Sequence, residues 1–374
     1  MRGNIFLIYF DNAATGGFKP DSVITAATSA LKYSANPGRS GHRLSLACLE
    51  RVYNCRKLLC EFLGGYSYER TVFTRTCTEA LNIALFGILK PGDEVVTTVA
   101  EHNSVLRPLE ELKKRGVKVK YAPLSDGELN ADEILKLVTP ETKAVVVTLA
   151  SNVTGTSCDV SYIRKNIPEK TLLICDGAQA CGHVPVDMKK SGIDALSVAG
   201  HKGMLAMQGS GALLFSERVN PEPVLFGGTG SESKNLNMPD FYPDRLESGT
   251  LSYPAIVSLG EGVLYLTANL YKGMEKVVRL TTFLCENLQK IKGVKLYSKP
   301  NPYGIVTFSL DNMQSETVAY NLSEDFSICV RGGLHCAPLM HEALSSNGLV
   351  RASVSSFNTL SECETFIDAI KKYA

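Results

Sequence analysis

The sequence predicts an α/β protein built on a mostly parallel sheet, with a smaller α+β region after it. Three observations carry that expectation. From residue 45 to about 215, short apolar runs alternate with longer runs of helical spacing. One of the short runs, Lys143 to Leu149, is β-branched and apolar almost throughout, as strands covered on both faces are. After residue 255 the alternation gives way to long helical runs with few strands.

Taken in order, Met1 to Phe10 holds a short apolar run, and Asp11-Asn12 follow it without a cleavage-site pattern. It reads as the start of the fold, not as a signal peptide. Apolar spacing predicts a helix over Leu46 to Leu63, stopped by Gly64-Gly65. Thr71 to Arg75 is a short strand, and Thr78 to Lys90 is a helix ended by Pro91-Gly92. Glu94 to Val99 is a strand and Ser104 to Arg115 a helix. Beyond Lys143–Leu149 come strands at Thr171–Cys175, Ala195–Ala199 and Gly211–Phe215. Residues 227–244 are polar and rich in Gly and Pro, a long loop of the kind that tends to be functional. Two helices are expected at Ile256–Thr267 and Lys272–Lys290, and strands at Val294–Tyr297 and Ile305–Leu310. Helices near Glu316–Glu324 and Ser361–Lys372 complete the chain. These elements divide into a large α/β domain over 12–255 and a small α+β domain formed by 1–11 and 256–374.

Composition narrows the function. The chain has 374 residues, with 39 Lys+Arg against 38 Asp+Glu. Balanced charge argues against nucleic acid or an acidic membrane as partner. No apolar run reaches the length of a membrane span. The 11 cysteines are scattered, with no CxxC pair and no histidines at zinc spacing, so no metal site is expected. They read as reduced thiols of a cytoplasmic protein.

Five predicted strands end in polar residues: Thr76-Cys77-Thr78-Glu79, Glu101-His102-Asn103, Ser151-Asn152, Asp176-Gly177-Ala178-Gln179 and Gly200-His201-Lys202. Open α/β sheets bind ligands beyond the carboxyl ends of their strands. An acid (Asp176) and a lysine (Lys202) leave two neighbouring buried strands there. Pyridoxal phosphate (PLP) chemistry needs that pair: an amine to hold the aldehyde as a Schiff base, and a carboxylate to keep the pyridine nitrogen protonated. Thr76-Cys77-Thr78 opens a helix and can hold a phosphate at its positive end, or can simply cap it. His102 could stack on a pyridine ring. Asn152 and Gln179 could hydrogen-bond a phenolic oxygen, and His201 could donate to a phosphate.

A second constellation lies near the end of the chain. Val330 to Pro338 is Gly-rich and carries Cys336 beside His335, with Arg331 five residues before it. A thiol near cationic groups is disposed to act as a nucleophile. Arg351 follows in a short strand-like run and could bind a carboxylate through two parallel hydrogen bonds.

At these residues the chain resembles the cysteine desulfurase and selenocysteine lyase family, in the class V aminotransferase group of fold-type I PLP enzymes. The resemblance runs nearly end to end: Tyr9 to Thr15, Asn36 to His42, Thr74 to Ala80, Glu101 to Asn103, Ser151 to Gly155, Asp176 to Gln179, Gly200 to Lys202 and Arg245 to Thr250. The spacing of Arg331, Cys336 and Arg351 looks like the SUF-type branch, with its short cysteine loop. The resemblance implies a large domain with a mostly parallel seven-stranded sheet flanked by helices, and a homodimer. It implies that Lys202 forms the Schiff base and moves the α-proton. Asp176 would pair with the ring nitrogen, Gln179 and Asn152 would lie near the phenolic oxygen, and His102 would cover the ring. Thr76, Cys77, Thr78 and His201 would hold the phosphate, with Thr250 reaching the partner subunit's site. Cys336 would receive sulfur as a persulfide, and Arg351, Asn152, Arg331 and His42 would bind L-cysteine or L-selenocysteine. A sulfur-acceptor protein is the implied downstream partner, as in iron–sulfur cluster assembly. Selenocysteine lyase or another class V PLP activity is the alternative; Cys336 speaks against a transaminase, which needs no nucleophilic thiol. Three departures stand out: Ala199 where a phosphate-binding serine is usual, Ala206-Met207 where Gly-Pro is usual, and Cys77 between the two threonines.

Overall fold

A computed structural model describes residues 7–374; the first six residues of the predicted opening segment lie outside it. In chain order the strands are β1 (Ile8–Tyr9), β2 (Thr71–Thr74), β3 (Glu94–Thr98), β4 (Lys118–Ala122), β5 (Thr142–Thr148), β6 (Leu172–Asp176), β7 (Ala195–Ala199), β8 (Gly211–Phe215), β9 (Val294–Leu296), β10 (Ile305–Leu310), β11 (Ile328–Cys329) and β12 (Val350–Ser353). Strands β2 to β8 form one seven-stranded sheet in the order β2-β8-β7-β6-β5-β3-β4. Only β8 runs against its neighbours, so the other six strands share one direction. This is the mostly parallel α/β fold that the alternating pattern predicts.

The central strands are apolar in nearly every position because both faces are covered. Val145 and Val147 of β5 enter one core, and Ala144 and Val146 enter the other. Leu173 and Cys175 of β6 likewise face away from Leu172 and Ile174. Helix Arg43–Phe62 and part of helix Tyr253–Leu288 cover the first face through Val52, Leu59, Leu259 and Val263. Helices Cys77–Ile88 and Asn103–Lys114 cover the second through Leu81, Ile83, Val105 and Leu109.

The later residues build a second layer. Strands β9, β10 and β12 form an antiparallel sheet in the order β12-β10-β9, and β1 pairs in parallel with β11. Helices Ser315–Phe326 and Leu360–Ile370 pack on it through Leu322, Phe366 and Ile370. The chain's opening strand is stitched in: the Ser353 N–H donates to Phe10 O at 2.6 Å.

Several details differ from the sequence reading, among them helices Asp21–Lys32, Ala131–Leu135, Val160–Asn166, Met188–Ser191 and Pro338–Ala343, which that reading leaves unassigned. The pair of helices expected from 256 to 290 is one continuous helix, Tyr253–Leu288, of 36 residues. The stretch between them holds no breaker. Asn269 turns its amide back onto Tyr265 O at 2.9 Å, and Leu266 and Leu270 keep the i, i+4 stripe buried. Strand β4 is absent from the sequence reading. It is the sheet's edge, and Lys118 and Lys120 break its apolar pattern because one side meets water.

A buried ion pair fixes how helix Arg43–Phe62 meets β2. Arg56 donates to Glu247 at 2.6 and 2.9 Å, and Glu247 also accepts the Phe73 N–H at 2.6 Å. Both side chains are only 6% exposed. Removing one partner strands the other charge and leaves the β2 amide without an acceptor. Glu247→Ala should therefore lower stability by about 3 kcal/mol, seen as a lower urea midpoint.

Candidate active site

Because β2, β3, β5, β6 and β7 share a direction, their carboxyl ends open on one edge of the sheet. A cavity of about 250 Å³ lies there. Its walls include Thr76, Cys77, Thr78, His102, Asn152, Asp176, Gln179, His201 and Lys202, together with Arg331 and Arg351 from the second layer. The fold thus gathers eleven of the predicted site residues into one space. Cys336 is exposed and is not among the lining residues; Nη2 of the lining Arg331 lies 3.7 Å from its sulfur. Two others lie elsewhere in this chain. His42 caps helix Arg43–Phe62, accepting from Ser45 N at 3.2 Å. Thr250 is exposed and meets Asn36 at 3.5 Å.

Register sets the acid and the amine. Asp176 pairs with Ser197 across the β6–β7 ladder, and β7 then runs on to Lys202. Asp176 is 3% exposed. Its Oδ1 accepts from the Ala178 N–H at 2.9 Å and from the Cys77 thiol at 3.4 Å. Burial drives the Cys77 thiol far above its ordinary range, with the Asp176 charge adding to it, so the sulfur keeps its proton and donates. Burial also lowers the Lys202 amine, against the opposing pull of Asp176 and with help from Arg351 and Arg331. The neutral amine is the nucleophilic and basic form.

His102 caps helix Asn103–Lys114, and its Nδ1 accepts from Ser104 N at 3.0 Å. An accepting Nδ1 leaves the ring proton on Nε2. Burial holds this imidazole neutral, at about 4. Ser104 Oγ also touches Thr78 Oγ1 at 2.8 Å, which links the ends of β2 and β3. Thr76 caps helix Cys77–Ile88 by accepting from Glu79 N at 3.1 Å, so its hydroxyl serves the helix as well as the cavity. His201 Nδ1 meets Thr15 Oγ1 at 3.0 Å. Gln179 donates to Ala13 O at 3.0 Å, and Asn152 donates to His335 O at 2.8 Å. The remaining carboxamide oxygens, Gln179 Oε1 and Asn152 Oδ1, are buried without a partner. Orphaned polar atoms in a cavity wall ask for a polar ligand.

Arg351 is 1% exposed. Nη1 donates to Asn152 O at 2.9 Å and Nη2 to Asp11 Oδ1 at 3.0 Å, while Nε has no partner. That leaves Nε as the unpartnered donor of this guanidinium, beside an Nη2 already engaged by Asp11. Asp11 is a site residue that sequence reasoning passes over as part of a longer run. The signal is present: it follows a short apolar strand, as Asp176 does.

The departures also take shape. Ala199 lines the cavity with a methyl group and offers no donor. The Ala206-Met207 turn closes through Ala206 N to Gly200 O at 2.8 Å, with Leu205 at φ +63°.

Residues 8–366 match the sequence profile described as aminotransferase class-V. The chain belongs to the class-V aminotransferase family. Members of this family work with pyridoxal phosphate. Among its relatives in the family, a probable cysteine desulfurase of Methanothermobacter thermautotrophicus is 34% identical over 98% of this chain and 94% of its own. A probable cysteine desulfurase of Pyrococcus abyssi is 33% identical with the same coverage. The apo structure of a cysteine desulfurase from Thermococcus onnurineus superposes with a TM-score of 0.90 at 32% identity, covering 98% of this chain and 94% of that one. The cysteine desulfurase CsdA of Escherichia coli gives 0.87 at 26% identity, with the same coverage.

Burial of neutral histidines makes a pH prediction. Five of the six histidines (102, 183, 201, 335 and 341) sit below their ordinary range, each through burial first. The unfolded chain then binds more protons than the native one below about pH 6.5, so stability falls with falling pH. Glu101 works the other way, its buried carboxyl pushed up to about 8, but it is one proton against five. Melting temperature of the cofactor-free protein should fall by several degrees between pH 7 and pH 5.

Proposed function

We propose that this protein is a PLP-dependent cysteine desulfurase that converts L-cysteine to L-alanine and takes the sulfur onto Cys336 as a persulfide. The observation that carries the reading is one juxtaposition. A cavity is walled by a lysine, an acid and a buried arginine, and the cavity's own Arg331 lies 3.7 Å from an exposed thiol, Cys336. A transaminase has no use for that thiol. The same activity, named for relatives that match over nearly the whole chain, supports it.

The residues fit the cofactor. The buried Asp176 carboxylate suits a protonated ring nitrogen, and the flat neutral imidazole of His102 suits a ring face. Thr78, the start of helix Cys77–Ile88 and His201 suit a phosphate. Thr76 and Cys77 shape that end of the cavity. The unpartnered oxygens of Asn152 and Gln179 suit a ligand hydroxyl or amine. When bound, PLP supplies an aldehyde for the substrate's amino group and an electron sink for a carbanion at its α-carbon.

The chain's own residues supply the rest. Lys202 would hold the cofactor, and its amine, which burial shifts toward the neutral form, would move the α-proton. Arg351 would hold the substrate carboxylate through its unpartnered Nε. The Cys336 sulfur attacks the substrate sulfur. The carbon–sulfur bond breaks, a sulfur–sulfur bond forms, and L-cysteine plus the Cys336 thiol become L-alanine plus the Cys336 persulfide. Arg331 gives a negatively charged sulfur its counter-charge. Thr250 lines an open surface cavity of about 410 Å³ with Leu225 and Phe226. Exposed apolar residues there support a second copy of this chain as the occupant, with Thr250 reaching its neighbour's phosphate. His42 is a substrate-side residue only in such a dimer. Eleven free thiols support a reducing, cytoplasmic setting, with a protein thiol as the onward sulfur acceptor.

Two variants test the reading. Lys202→Ala should lose the colour of bound PLP and cut alanine formation by at least about a thousandfold. Cys336→Ala should keep the colour and cut sulfide release from L-cysteine by about a hundredfold. Wild-type turnover in the Cys336 variant would remove that residue from the mechanism.

A further inference from the structure

Cys336 stands on a backbone that L-residues seldom adopt. His335 has φ +50° and Cys336 has φ +58°, two consecutive left-handed residues with no glycine between them. Such a turn needs outside support. Both of its carbonyls are taken by donors on the carboxyl edge of the large sheet. The Asn103 N–H, just past β3, donates to Cys336 O at 2.7 Å. The Asn152 side-chain amide, just past β5, donates to His335 O at 2.8 Å in a fully buried bond. Asn152 does two further things: its backbone oxygen braces Arg351 Nη1, and its Oδ1 lies unpartnered in the cavity wall.

We propose that Asn152 is the latch of the Cys336 loop, a positioning residue that holds the left-handed turn presenting the thiol and ties it to the carboxylate clamp and the cofactor cavity. The functional weight of this latch rests on the reading of Cys336 as sulfur acceptor; its geometry does not. Of the two donors, the Asn103 N–H belongs to the backbone and survives any substitution except proline. The Asn152 amide is the adjustable half. Whatever engages Asn152 from inside the cavity therefore acts on a thiol 184 residues further along the chain.

Asn103 reports on the latch directly. It is the first residue of its helix, so no helical carbonyl protects its N–H, and Cys336 O is its acceptor. Residue-resolved hydrogen exchange on the cofactor-free full chain provides the test. Asn152→Ala removes the amide, and Asn152→Asp keeps its size but has no donor. In both, the amide of Asn103 and that of Ala337, which closes the turn by donating to Leu334 O at 3.0 Å, should exchange about tenfold faster than in wild type, the scale of one lost buried hydrogen bond. Gln179→Ala changes the same cavity without touching the loop and should leave both amides at their wild-type rates. Adding pyridoxal phosphate, with binding followed by absorbance, should slow exchange at Ala337 about threefold in wild type and not in the Asn152 variants, because coupling between two sites runs through the residue they share. Wild-type exchange in the Asn152 variants overturns the latch. So does equal acceleration in Gln179→Ala, or equal protection of all variants by pyridoxal phosphate. A wild-type enzyme that releases no sulfur would defeat the desulfurase reading while leaving the exchange result intact.

Discussion

An acid and an amine leave a fully covered sheet side by side, and the scarcity of water there governs how the whole site behaves. Parallel strands put Asp176 and the approach to Lys202 on one edge, and the ladder that pairs Asp176 with Ser197 sets their spacing. With little solvent to stabilise charge, each group's protonation is decided by its few neighbours. The amine is driven toward neutrality, the thiol of Cys77 keeps its proton, and burial holds His102 uncharged. The same burial that stabilises the sheet prepares the reactive groups.

The second layer depends on this edge as well. It contributes Arg351, Arg331 and the cysteine loop, and each is held by contacts that reach the edge. Arg351 is braced by Asn152 and Asp11, and the loop by Asn152 and Asn103. The site is therefore assembled across two layers. Neither layer carries both the lysine and the thiol.

Much of this is readable from the residues alone. Strands such as Ala195–Ala199 are apolar runs with polar ends, and buried parallel strands leave that trace directly. Ile305–Leu310 takes the bounds expected of it. Edge strand β4 leaves a weaker trace, since its half-exposed lysines are dictated by water and not by a core. The continuous helix through Asn269 depends on a local side-chain bond that spacing does not reveal. The pairing of Asp11 with Arg351 and the bond from Asn152 to His335 are out of reach for a different reason. Both join residues far apart in the chain, and polar residues carry no periodicity that names their partners. The departures need coordinates too. Cys77 looks like a flaw in a phosphate loop and is a hydrogen-bond donor to the acid, a weaker one than a hydroxyl would be.

Asp11 gives Arg351 an anion of its own. The guanidinium is almost wholly enclosed and would be costly to leave bare, yet one edge has to stay available. An internal counter-ion resolves that conflict. Loss of Asp11 would strand that enclosed guanidinium, so the residue just after the first strand and one near the far end of the chain stand or fall together.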